Sequence, residues 1–505
     1  MKRVFLAPAV LLLAACNGSD PFNGTLAKAE GSPVTGSKAR VVVADLDTAF
    51  NPYHSFFYED TGNPLLVGTL YPRGSPPSSV TPEVLKEFGI DKDHILSVTR
   101  TGKFANDIKA DEALWASVKK GEVYWFKGTN VLAVSYATDA LPPLKPMNDK
   151  NPHGTGTSST VLFANPEAII LFVESWDTLG NKEPHDFAFK HPLVDILTTS
   201  YGKGLPFVPI GTGAFHPELA GFYASFTAVA RMGKLHFSSG GNTPGFTPGR
   251  GGAGPWWSIG VDGSEEDVKA GTDGRAAESG NFPDFVSDFT QDIPYCLECE
   301  SGIRNGVAGT SFSTPRAAGV ASKVLLEARR ALKHSGGIVT AGVQPVMAAG
   351  DGRTISNWEL RRALEEGAYV PTSADAGTAD VPINDAAPWL QVGWGDLSAD
   401  PAKGVVEETL AALGFGERKR SKAAGFCDFQ TKIIQERKAY FDTLTPVADG
   451  LPDAPVPATP PVPTVGSLGG GNLSDHVGYA GDPAEPLPAD PFIYCGSTLP
   501  APPTP

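Results

Sequence analysis

Six short runs rich in β-branched and aliphatic residues recur along the chain, and they limit what it can fold into. The first is Arg40-Val41-Val42-Val43-Ala44; the others lie at 131–136, 167–173, 194–199, 234–239 and 256–261. Strands that read as apolar runs, without regular alternation, belong to parallel sheets buried on both faces. Helix-like stretches, such as 216–231 and the apolar segment 317–332, are interspersed with them. Strands alternating with helices predict an α/β fold, with a mainly parallel sheet and helices on both faces. The chain has 505 residues, 41% hydrophobic and 19% charged, which suits a sizeable core. Its net charge of −15 excludes nucleic acid as a partner, because phosphate binding needs clustered Lys and Arg.

The N-terminus carries an address. Lys2-Arg3 precede an apolar run, 4–15, too short to span a bilayer and laid out as a secretory signal. It ends Leu13-Ala14-Ala15-Cys16, which resembles the lipobox of bacterial lipoproteins. That resemblance implies cleavage before Cys16, lipid on its thiol and amine, and a membrane partner through that lipid. The expected location is the bacterial cell envelope, facing the periplasm or exterior. Four further cysteines, Cys296, Cys299, Cys427 and Cys495, suggest two disulfides with three alternative pairings. Cys296 and Cys299 have the spacing of a redox or zinc half-site, but with no second such pair a structural disulfide is the better reading.

The expected organisation is a signal peptide over 1–15, a tether over 16–38, a catalytic domain over 39–415, a helical extension over 416–450 and a tail over 451–505. The tail holds 14 of the 45 prolines and reads as a polyproline-like or disordered linker. Residues 56–130 read as an insertion. A helix is expected from Pro82, with Thr81 as its cap, and another over 109–120. A hairpin is expected between 122–126 and 131–136, and further helices over 354–370 and 430–443.

Four segments carry chemistry. Residues 309–315 read Gly309-Thr310-Ser311-Phe312-Ser313-Thr314-Pro315 and open the 317–332 run. A serine at a helix start can project its hydroxyl where the helix end favours negative charge. It needs a base and an orienting acid from elsewhere. The first strand run ends Asp45-Leu46-Asp47-Thr48-Ala49, with His54 beyond, so two carboxylates lie where ligands approach open α/β sheets. Strand alternation puts Asp45 and Asp47 on one face, and either can hold an imidazole. His153-Gly154-Thr155-Gly156 supplies a histidine where a helix can begin. Ser238-Ser239-Gly240-Gly241-Asn242 supplies an amide at a strand end that can face an oxyanion. Alone, each of the last three is an ordinary turn sequence.

Taken in the order Asp, His, Asn, Ser, these segments resemble the subtilisin-like serine proteases. Residues 309–315 match that family's serine motif throughout, His153-Gly154-Thr155 its histidine motif, and Asp47-Thr48-Ala49 with His54 its aspartate motif. Ser200-Tyr201-Gly202 resembles the end of its substrate-binding strand. The resemblance covers roughly 39–335 and implies a three-layer subtilisin-like fold that hydrolyses peptide bonds through an acyl-enzyme. Ser311 is then the nucleophile, His153 the base and Asp47 its orienting acid. Asn242 lies in the oxyanion hole, where losing one donor costs about 10²–10³ in kcat. Ser200, Gly202, Ser239 and Gly240 line an extended peptide or protein substrate. No cofactor is required, no metal-ligand cluster is visible, and no loop is assigned to the structural Ca²⁺ frequent in the family.

Two departures stand out. Ala49 and Gly156 occupy positions where the family has Gly and a second His. Only about thirty residues separate Cys16 from Asp47, too few for the family's N-terminal prodomain. These departures motivate an alternative: an envelope binding lipoprotein on the same scaffold, with weak or lost activity.

Overall fold

The computed structural model describes residues 39–62, 70–71, 73, 79–137, 140–175, 182–201, 224–225, 228–229, 232–242, 257–267, 272–278, 283–332, 345–348, 354–369 and 393–419. Cys16, Gly202, Cys427 and Cys495 lie outside them, as do the signal peptide, the tether, nearly all of the helical extension with its 430–443 helix, and the tail.

The main sheet comprises β1 (Val42–Asp47), β2 (Ile95–Leu96), β3 (Tyr124–Phe126), β4 (Val131–Ser135), β5 (Ile169–Glu174), β6 (Ile196–Thr199), β7 (Leu235–Ser239), β8 (Ile259–Asp267), β9 (Thr272–Glu278) and β10 (Phe285–Asp288). Their order is β10-β8-β7-β6-β1-β5-β4-β3-β2, with β9 antiparallel on β8. Apart from β9 and the β3–β4 hairpin, every neighbour pair in that order is parallel.

The helices are α1 (Pro82–Glu87), α2 (Phe104–Ala110), α3 (Glu112–Ser117), α4 (His153–Ala164), α5 (Lys182–Lys190), α6 (Thr310–Ala331), α7 (Asn357–Gly367) and α8 (Val405–Ala412). On one face of the sheet, Val43, Ile170, Phe172, Ile196 and Phe237 join Val161 of α4 and Val320 and Val324 of α6 in a single core. On the other face, Val42, Ala44, Leu46, Leu171 and Val173 pack with Phe187 and Phe189 of α5 and Val84 of α1. This is a three-layer α/β fold. All residues of β1 and β5 are buried, which explains why their sequences do not alternate.

The local expectations meet specific physical outcomes. Thr81 caps α1, its side chain accepting from Val84 N, with Pro82 in the first turn. The helix expected over 109–120 is instead two helices broken at Asp111. That carboxylate accepts from Thr99 N (2.7 Å), Thr99 Oγ1 (2.7 Å) and Tyr53 Oη (2.8 Å), so it is held into the core at the break. The expected hairpin is the antiparallel pair β3–β4, turning through Gly128 at φ 87°. Over 354–370, Thr354–Ser356 forms a strand, β14, paired with β13 (Pro345–Ala348), and the helix begins only at Asn357.

One buried ion pair fixes the serine-bearing helix to the central strands. Arg329, near the end of α6, donates to Asp195 through Nη1 (2.8 Å) and Nη2 (2.6 Å), and Nη1 also reaches Arg40 O. Asp195 additionally accepts from Val42 N at 2.9 Å. The start of β1, the segment entering β6 and the far end of α6 are thereby joined.

Candidate active site

β1 ends at Asp47, and α4 begins at His153 directly over that strand end. His153 Nδ1 lies 2.9 Å from both Asp47 oxygens. With Nδ1 donating, Nε2 is the acceptor on the far side of the ring. Asp47 is 2% exposed and His153 19%, so the acid is sealed while the imidazole opens to the surface. Thr48 completes the acid's shell, donating through N (2.6 Å) and Oγ1 (3.1 Å) to Asp47 Oδ1. Burial alone would lower the His153 pKa. The charge and hydrogen bond of Asp47 outweigh burial and raise it.

The two aspartates therefore differ in role. Asp45 is fully buried and accepts from Thr157 Oγ1 (2.8 Å) and Ser158 Oγ (2.7 Å) instead of from the histidine. His54, beside the aspartate motif, is also buried. Its Nε2 meets Gly302 O at 2.8 Å and its Nδ1 accepts from Phe56 N, while burial holds its pKa down to about 4. It is a neutral structural residue.

Gly309 precedes α6 at φ 154°, ψ 150°, a conformation open essentially to glycine alone. Ser311 is the second residue of the helix, not a residue ahead of it. Pro315 lies one turn later and has no N–H for the Ser311 carbonyl. Ser200 Oγ takes that place, donating to Ser311 O at 2.8 Å, while Ser311 Oγ donates to Ser200 O at 3.2 Å. The end of the β6 segment and the serine thus hold each other. Phe312, next in the helix, sets its ring 5.2 Å from the His153 ring.

Asn242 is exposed, and its Oδ1 accepts from Thr310 N and Thr310 Oγ1, both at 2.9 Å. This fixes the amide's orientation, with Nδ2 near Gly309, where an added Cβ would lie 3.3 Å away. Ser239 closes β7 and is buried. The Gly240 N–H is committed to Val261 O at 2.9 Å, so it belongs to the β7–β8 ladder.

Both departures have a physical reading. Leu144 is the only non-glycine with positive φ among the described residues, so Ala49 carries no backbone strain. Gly156 is hemmed in: a Cβ there would meet Phe312 at 2.8 Å, Tyr295 at 3.0 Å and Ile293 at 3.1 Å. Aromatic packing fills the space a side chain would need. Tyr295 and Ile293 belong to the hairpin of β11 (Thr290–Ile293) and β12 (Arg304–Ala308) and its loop. That loop carries a Cys296–Cys299 disulfide. Among the described residues, His54, Cys296 and Cys299 are the group whose ligand atoms approach within 4.8 Å of one another. The disulfide and the two committed nitrogens of His54 make it a poor metal site. No helix of the described residues is long and apolar enough to cross a membrane.

Sequence reasoning missed Thr48, Thr157, Ser158 and Thr310. Three of them follow a motif residue by one to five positions, and Thr310 immediately precedes Ser311. Hydroxyls so close to buried acids and helix starts were the available signal.

Fold and site together define a three-layer α/β protein with an Asp–His pair at a strand end and a serine at the head of a neighbouring helix. No family model matches the chain, and no curated protein does. Among solved structures it is similar to the prenylagaramide maturation protease PagA, at 14% identity and TM-score 0.39, over 75% of this chain and 95% of that one. It is also similar to fervidolysin from Fervidobacterium pennivorans, a keratinolytic enzyme related to subtilisin, at 14% identity and TM-score 0.37, over 73% of this chain and 43% of that one. A cold adapted subtilisin-like serine proteinase is similar at 15% identity and TM-score 0.33, over 64% of this chain and 89% of that one.

Proposed function

We propose that this protein is a serine endopeptidase with Asp47, His153 and Ser311 as its triad. The observation that carries the reading is His153 Nδ1 held by both Asp47 oxygens at 2.9 Å, with the ring against the residue that follows Ser311. In this mechanism Ser311 Oγ leaves the Ser200 carbonyl, gives its proton to His153 Nε2 and attacks the substrate carbonyl. The tetrahedral oxyanion is met by Asn242 Nδ2 and the Ser311 N–H. Collapse expels the amine with the proton from His153, leaving an acyl-enzyme that water hydrolyses by the same route. Asp47 keeps the imidazole in the required tautomer and stabilises the imidazolium. The Ser200 carbonyl, released by Ser311, accepts from the backbone of an extended peptide. The substrate class is peptide or protein, handled at the cell envelope by an enzyme anchored through lipid on Cys16.

The second reading, a binding lipoprotein without turnover, is favoured by one contact: Ser311 Oγ faces Ser200 O. Labelling with a fluorophosphonate probe separates the two. The wild-type chain is expected to react covalently at Ser311 and Ser311→Ala not at all. Folded wild-type protein that stays unlabelled would favour the binding reading.

A further inference from the structure

The site holds a second acid that the triad does not use. Asp45 lies two residues before Asp47 on the same face of β1 and is fully buried. Thr157 and Ser158, in the second turn of α4, donate to its Oδ2. The Thr157 hydroxyl also lies 3.5 Å from Asp47 Oδ2, so it stands between the two acids. α4 is thus latched to β1 twice, by His153 on Asp47 and by the next turn on Asp45.

The surroundings of Asp45 are those of a neutral acid. Its Oδ1 has no hydrogen-bond partner. In register beside it stand Phe172 of β5 and Thr198 of β6, and the Thr198 hydroxyl likewise has none. The titratable groups that face it are Asp47 from β1, His153 from α4 and Tyr201 from the segment after β6. Glu174, which is in register with Asp47, is closed off by Lys150 Nζ (2.7 Å) and Leu144 N (2.8 Å). An ionised carboxylate with two neutral donors, one bare oxygen and an anion alongside is costly, and protonation removes that charge at the smaller cost of one unpaired O–H.

We propose that Asp45 is a positioning residue kept as a neutral carboxylic acid: through Thr157 and Ser158 it fixes the early turns of α4 and so aligns His153, leaving Asp47 as the single negative charge beside the imidazole. Burial, followed by the charge of Asp47, pushes the Asp45 pKa up to about 8, which agrees with this assignment. The proposal deepens the peptidase reading and rests on it only where turnover is measured.

The test has one arm that needs no turnover. In a Ser311→Ala background, His153 is titrated by NMR with Asp45 and with Asp45→Asn. A neutral Asp45 predicts a change in the His153 pKa of less than about 0.3, whereas a charged one predicts a fall of about one or more. In the active chain, Asp45→Asn keeps an acceptor for both hydroxyls and is expected to hold kcat/KM at pH 7 within about threefold. Asp45→Ala is expected to lose at least about tenfold, in kcat more than in KM. Thr157→Val, which leaves the acid in place, covers the case in which Asp45→Ala does not fold. It is expected to lower kcat by about threefold or more. A full-unit fall in the His153 pKa, an Asp45→Asn loss as large as that of Asp45→Ala, or an unaffected Thr157→Val overturns the proposal. Absence of wild-type turnover would sink the peptidase reading, while the titration would still decide the state of Asp45.

Discussion

The mutual hold of Ser200 and Ser311 gives a prediction whose size follows from the structure. Pro315 leaves the Ser311 carbonyl without its helical donor, and Ser200 Oγ replaces it at 2.8 Å. Ser200→Ala strands that carbonyl. A buried unsatisfied acceptor costs about 1–3 kcal/mol, but Ser311 is only half-buried and water can partly replace the hydroxyl, so about 1 kcal/mol is expected. Pro315→Ala restores an N–H one turn after Ser311. In that background Ser200→Ala should be nearly neutral, leaving a coupling of about 1 kcal/mol between two positions that are distant in sequence. Urea unfolding of the four chains measures it, each carrying Ser311→Ala to prevent self-cleavage. An equal cost of Ser200→Ala with and without the Pro315→Ala substitution would refute the assignment of the Ser200 hydroxyl as a surrogate helix donor.

Two further outcomes follow. In the proposed role of base His153 must be neutral, and its pKa is raised, so kcat/KM should fall on the acid side with a midpoint above the ordinary 6.5. By linkage the same shift stabilises the fold fully below the unfolded pKa, and that stabilisation fades as pH rises through the folded one. A pH–rate profile with its midpoint below 6.5 would contradict the Asp47 contact. Arg329→Ala should cost about 3–5 kcal/mol in urea unfolding, because it leaves Asp195 buried without its bidentate partner; a loss under about 1 kcal/mol would mean that nearby Lys234 compensates.

The sheet was legible because its central strands are sealed on both faces, so β1, β4 and β5 carry apolar runs that mark themselves off from helices. What could not be read was the choice between Asp45 and Asp47, since residues two apart on a strand share a face. The choice is made by α4, which lies along β1. One helical turn advances about 5.4 Å and two strand residues about 6.6 Å, so the first turn meets Asp47 and the next meets Asp45. The break at Asp111 was illegible for a similar reason. Tyr53 comes from a distant part of the sequence, and no local pattern announces a tertiary claim on one carboxylate. The tight space at Gly156 likewise depends on Tyr295 and Ile293, remote residues that sequence spacing does not relate to it.

That tight space bears on how this site can change over time. Position 156 admits no side chain while the Phe312 ring, Tyr295 and Ile293 stand where they do. A histidine there, as in the family the sequence resembles, would be tolerated only after Phe312 had shrunk or turned away. Phe312 in turn follows the serine directly and packs against the imidazole ring. The two positions are therefore entrenched as a pair, and the order of their replacement matters. Gly156→His alone should damage the chain, whereas pairing it with a smaller residue at position 312 should damage it less.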